Sequence, residues 1–235
     1  MINVETLNFA NSILFHNFEK QSAFNMNNKE EQLSALSDIR NMMDRSSRFI
    51  SLSGLSGIFA GIIALIGAYM AHLEIRSYLA GTYGYGIDAD LDLEFALLKI
   101  GISVLIVALA GGLLFTYRQT VKKKLPLWDK TAKNLLLNLA IPLATGGIFI
   151  ISILFNHANS VGLIAPSCLV FYGLALINAS KYTYSDIRFL GLCEVILGLI
   201  AMFNIGYGLY FWAMGFGILH IVYGAIMYFK YERAK

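Results

Sequence analysis

The chain has 235 residues, of which 57% are hydrophobic and 14% charged, whereas a soluble domain carries about a quarter charged residues. A mean hydropathy of +0.62 excludes an ordinary soluble fold and points to a membrane-embedded one. The net charge of +3 is not a nucleic-acid signal, because the Lys and Arg lie beside long apolar runs, where insertion and anionic headgroups explain them.

The N-terminal stretch holds one short apolar segment, Ala10 to Phe15, with no basic segment before it, so no cleavable signal peptide is expected. Residues 1–27 show no periodicity and are expected to be disordered or untranslated, with Met26 as an alternative initiator. Residues 28–48 read as an amphipathic helix. Asn28 stands at its cap with Glu31 in the capping-box position. Leu33, Leu36, Ile39 and Met43 form an apolar stripe at helical spacing. With Arg40, Arg45 and Arg48 near its flanks, this helix would rest on the inner membrane surface. The sharper alternative is a docking face for a cytoplasmic protein partner at Asn28–Arg48.

Six apolar runs follow within residues 49–230: Phe49 to Ala71, Phe95 to Tyr117, Leu135 to Phe155, Val161 to Ala179, Phe189 to Phe203 and Leu209 to Phe229. Apart from Arg76 and Lys99, every Lys and Arg lies in the N-terminal tail, the second or fourth connection, or the C-terminal end with its tail at 231–235. That is the positive-inside pattern. It predicts an all-α, multi-pass bundle in a plasma (inner) membrane, with both termini cytoplasmic and the lipid bilayer as principal partner. The order of the runs suggests three antiparallel hairpins in series, preceded by the cytoplasmic amphipathic helix.

In the first run, Ser53, Gly57 and Gly61 recur at four-residue spacing beside a row of Ala60, Ala64 and Ala68. Small residues let helix backbones approach closely in lipid, so this helix is expected at the bundle centre. Such faces would also allow self-association into a homo-oligomer. The next connection contains Thr82-Tyr83-Gly84-Tyr85-Gly86, which resembles a potassium-channel filter over five residues. A filter would need a pore helix before it, and Leu73 to Gly81 is short for one. Asp88, Asp90, Asp92 and Glu94 follow. Their alternation opens like a calcium loop, but the sixth position is Leu93 and the twelfth Lys99, so an EF-hand is excluded. A loose external cation site or a plain acidic loop remains.

The second run carries Gly101 and Gly111-Gly112 and ends at Arg118 and Lys122 to Lys124, with Trp128 at interface depth before the third. Pro142 and Gly146-Gly147 are expected to break the third run, and Pro166 sits near the start of the fourth. Asn138 and Asn178 are candidate polar lining residues. The fifth run is only ~22 Å long at helical rise, below the ~30 Å hydrocarbon core. It is expected to borrow Tyr184 to Arg188 and to form a tight hairpin with the sixth through Asn204 to Gly208.

One acid, Glu194, lies well inside the fifth run, and one histidine, His220, at depth in the sixth. Gly191 and Gly198 flank the first as Gly217 and Gly224 flank the second. Counted inward from Arg188 and Lys230, they lie ~9 Å and ~15 Å deep, which an antiparallel hairpin can bring together. A charge in hydrocarbon costs at least ~2.5 kcal/mol, so such a residue implies a partner. Two roles fit: a proton- or cation-sensitive pair, or an interhelical clamp worth ~0.6 to 2 kcal/mol. His72, at the outer end of the first run, is expected to be solvated.

The glycine pattern Gly191, Gly198, Gly217 and Gly224 resembles the last hairpin of six-helix bacterial membrane proteins of the acid-resistance type, over about a fifth of the chain. The resemblance implies a small inner-membrane protein of stress tolerance or regulation, with no catalytic residues to carry over.

Cys168 and Cys193 both fall inside runs and show no metal or redox spacing. Hydrolase, metalloprotease and phosphate-loop motifs are missing from the sequence. The expectation is therefore a non-enzymatic membrane protein without a cofactor or metal, acting by binding, sensing or scaffolding. The alternative is a small proton- or cation-coupled transporter or channel that uses Glu194 and His220.

Overall fold

The computed structural model describes residues 52–82, 84, 87–124, 128–156 and 162–233, plus Gln32 and Leu36. The side chains of 87–89 and 156 are not among the described groups. Apart from those two isolated positions, the tail at 1–27 and the amphipathic helix at 28–48 lie outside the described residues. So do Tyr83, Tyr85 and Gly86 of the filter-like segment. The helices that follow belong to one compact unit, Arg48–Lys235.

That unit is all-α among the described residues. The helices are α1 (Gly54–Leu79), α2 (Ile87–Lys122), α3 (Lys130–Asn156), α4 (Ile164–Ala179), α5 (Ile187–Met202) and α6 (Gly208–Tyr231). Five are long and apolar enough to cross a membrane; α5, with 16 residues, is not. At ~24 Å it stops short of the hydrocarbon thickness. Of the residues it was expected to borrow, only Ile187 and Arg188 are helical. Large apolar side chains such as Leu105, Ile106, Leu113, Ile148 and Phe189 point outward. Exposed apolar surface on this scale marks a membrane-facing protein.

The small-residue positions are used for packing: α1 packs with α2 and α3 with α4, but Gly191 and Gly198 of α5 face α4, and Gly217 and Gly224 of α6 face α1. α1 packs between α2 and α6, and the most extensive helix contact is α4 on α5. A methyl built on Gly191 would lie 2.6 Å from the Gly173 carbonyl oxygen, and one on Gly173 equally close to the Gly191 oxygen. Gly198 meets the Pro166 carbonyl at 2.9 Å by the same construction. On the other side, a methyl on Gly61 would lie 2.6 Å from the Gly217 oxygen, and one on Gly224 2.6 Å from the Gly54 oxygen. Gly57 faces the Gly224 Cα at 3.1 Å. The two matching glycine frames of α5 and α6 are therefore separate seams. Each glycine lets a backbone approach that any side chain would block.

α3 corrects the expected break. It is one continuous helix with Pro142 inside it. Proline has no N–H, so the Asn138 carbonyl loses its helical donor. The Asn178 side-chain amide on α4 donates to that oxygen at 3.0 Å. This is how a neighbouring helix re-satisfies a carbonyl freed by proline in lipid. Pro166 falls in the first turn of α4, where a missing N–H costs nothing.

α2 corrects a second expectation. The acidic segment is helical from Ile87 rather than an open loop. At 36 residues, or ~54 Å, the helix overreaches the hydrocarbon core. Leu73 to Gly81, weighed as a pore helix, is the end of α1 as far as Leu79 and the turn that follows it.

Candidate functional site

Three helices meet around Glu194. Its side chain is fully buried and His220 is 7% exposed, and the two approach at 3.4 Å between His220 Nδ1 and Glu194 Oε1. α5 places Glu194 one turn from Gly191 and one from Gly198, the glycines that draw it onto α4. α6 places His220 at the end of a π-helical segment, Ala213–Leu219. The carboxyl lies against this segment at Gly215, where a methyl would be 2.5 Å from Glu194 Oε2 and from Leu169 Cδ2. A side chain at 215 would push the carboxyl or the Leu169 side chain aside.

The hydrogen bonds assign the imidazole. His220 Nδ1 lies 3.0 Å from the Gly215 carbonyl oxygen, which can only accept, so Nδ1 carries a hydrogen. His220 Nε2 lies 2.8 Å from the Tyr172 hydroxyl on α4. In the neutral ring Tyr172 donates to Nε2; in the doubly protonated ring it accepts. Tyr172 and Phe216 flank the imidazole, with ring centroids at 5.4 and 5.9 Å. Both imidazole nitrogens are thus engaged, while neither carboxyl oxygen of Glu194 has a hydrogen-bond partner among the described residues. A buried polar group in that condition costs about 1–3 kcal/mol, more when charged. The arrangement can hold or release a proton between a carboxyl and an imidazole. It offers no nucleophile with an activating base.

The other sequence candidates divide. Asn138 and Asn178 come together, but as the repair of the proline gap; the Asn138 amide itself donates to the Asn134 carbonyl at 2.8 Å. Asp90, Asp92 and Glu94 do not converge. On a helix, Asp90 and Glu94 share a face and Asp92 lies on another, and Asp90 accepts the Tyr78 hydroxyl. Among the described residues no three metal-ligating side chains cluster. His72 is half-buried, edge-on to Tyr210 at 6.5 Å. Cys168 and Cys193 are free thiols.

Sequence reading misses Tyr172, Gly215 and Glu232. Glu232 reaches back across the chain to the start of α1, accepting the Gly54 N–H at 2.5 Å and the Ser53 hydroxyl at 3.2 Å. It supplies the N-cap acceptor that Ser53 does not. Nearby, Asp186 before α5 accepts Lys230 Nζ at 2.6 Å and the Tyr231 hydroxyl at 2.9 Å. Burial alone would raise the Asp186 pKa, but the hydrogen bonds from Lys230 and Tyr231 and the Lys230 charge outweigh it and hold it below the usual carboxylate range. Tyr184 stacks on Tyr231 at 4.2 Å, and burial, then the charges of Tyr231 and Glu232, push its hydroxyl up to about 12. α5 and α6 thus touch at two polar points, Asp186 and Glu194, while their glycine seams face α4 and α1.

No family model, curated protein or solved structure matches this chain.

Proposed function

We propose that this is a non-enzymatic, multi-pass plasma-membrane protein that acts as a proton-responsive sensor. In this reading all six helices are membrane-embedded, α5 as a short crossing sheltered by α4, and both termini are cytoplasmic by the distribution of Lys and Arg. The observation that carries the reading is the Glu194 carboxyl. It is sealed among α4, α5 and α6 with no hydrogen bond to either oxygen, 3.4 Å from a histidine whose nitrogens are already committed. One proton more or less on this pair changes its charge by one unit. At hydrocarbon depth that unit is worth at least ~2.5 kcal/mol. An energy of this size, applied where three helices join, is enough to shift how they pack. Residues 28–48 are the segment that would carry the response to a cytoplasmic partner.

A second reading, a small proton- or cation-coupled transporter, is favoured by the π-helical segment beside Glu194. Interrupted helices and π-segments recur at membrane binding sites. Reconstitution separates the two. The sensor moves neither protons nor alkali cations across liposomes under a pH gradient. Flux that disappears in Glu194→Gln would replace the sensor with the transporter.

A further inference from the structure

A cavity of about 270 Å³ opens at the basic end of the bundle, between the start of α1, the last two turns of α2 and the end of α6. Ser53 and Gln119, both buried, line it together with Tyr228. Arg118 and Lys122 stand at its exposed rim, one helical turn apart and so on one face of α2. The lining contains one carboxylate, Glu232, and it is engaged by the Gly54 N–H and the Ser53 hydroxyl. Arg118 and Lys122 form no ion pair among the described residues, and with Glu232 they leave the lining a net charge of +1, two cations less one carboxylate. Leu55 and Phe115 supply an apolar wall on the same cavity.

We propose that this cavity binds a phosphate ester carrying negative charge, held by Arg118 and Lys122, at the membrane surface. The geometry combines three things that such a group needs. Two cations against a single carboxylate line one opening, the buried Gln119 amide lies in the same lining, and Leu55 and Phe115 give it an apolar wall. Basic pockets between helix ends on the cytoplasmic side suit anionic headgroups. The source is either the headgroup of an anionic phospholipid, whose acyl chain would follow Leu55 and Phe115, or a soluble phosphate. The inference rests on the membrane reading of the bundle and is independent of the Glu194 cluster.

The test uses the full chain in nanodiscs of phosphatidylcholine, alone or doped with phosphatidylglycerol, and separately with inorganic phosphate. Retained lipid is counted by native mass spectrometry, and thermal stability is followed in parallel. Each cation near an anionic ligand contributes roughly fivefold in affinity. Arg118→Gln with Lys122→Gln is therefore expected to retain phosphatidylglycerol about 25-fold less well than the native chain. The single variant Lys122→Gln falls between them. The control Lys130→Gln with Lys181→Gln removes the same charge elsewhere and should retain it normally. Stabilisation by inorganic phosphate that is lost in the same double variant supports the site with a soluble source. Equal retention by the native chain, the double variant and the control, with no response to phosphate, overturns the proposal.

Discussion

The side-chain amide of Asn178 donates to the main-chain oxygen of Asn138 at 3.0 Å, across the contact between α3 and α4. That oxygen needs an outside donor only because residue 142 is proline. The dependence is testable as a double-mutant cycle. Asn178→Leu is expected to destabilise the native chain by about 1 kcal/mol, within the range for interhelical hydrogen bonds in membranes. In a Pro142→Ala background, where the helix supplies its own N–H, the same substitution should cost far less. Reversible unfolding in detergent measures both; an equal cost in both backgrounds would show that the bond is incidental.

Gly173 and Gly191 set the α4–α5 seam, each facing the other's carbonyl. Gly191→Ala forces the backbones apart and is expected to cost more than about 2 kcal/mol, through overpacking. Gly147→Ala has open space around it and should be neutral or slightly stabilising, since alanine is the better helix former. Comparing their thermal midpoints checks the pair, and similar midpoints would contradict the seam.

Asp186 carries a pH dependence with a definite sign. Its folded-state pKa is depressed, so its contribution is present above the unfolded value of about 3.9 and is lost as pH falls through the lower folded value. Asp186→Asn should therefore lower stability at neutral pH and flatten the acid limb below about pH 4. A stability–pH curve with the native slope would contradict this. Asp186 is half-buried but its partner Lys230 is exposed, so solvent screens the pair and the effect is modest.

Glu232 caps α1 from the far end of the chain. Glu232→Ala is expected to cost about 1 kcal/mol, as loss of an N-cap acceptor does. Hydrogen-exchange protection should fall first at residues 54–57. Uniform loss along the bundle, with no preference for that turn, would argue against a cap.

The legible part of this fold is what depends on one helix at a time. The runs, their lengths and the small-residue stripes all follow from local composition, so the spacing of Gly57, Gly61, Gly191, Gly198, Gly217 and Gly224 is enough to mark them as close-packed positions. Which helix each stripe meets is a property of pairs and is not written locally. The shared frame around Glu194 and His220 suggests one seam between α5 and α6, yet α5 turns its glycines to α4 and α6 to α1. The acid and the histidine still meet, because both lie at compatible depth. Pro142 is misread as a break for a related reason: its remedy, Asn178, stands on another helix. Tyr172 and Glu232 carry no sequence signal, since a tyrosine in an apolar run and an acid in a tail are both unremarkable until the fold places them.

We propose that the protonation state of the Glu194–His220 pair controls how α6 packs. The most direct measurement is backbone hydrogen exchange at residues 213–220 in liposomes without a pH gradient, scanned across pH. The native chain should pass from strong to weak protection in this segment as pH changes, and Glu194→Gln should hold one level throughout. The same transition in both chains would contradict the claim.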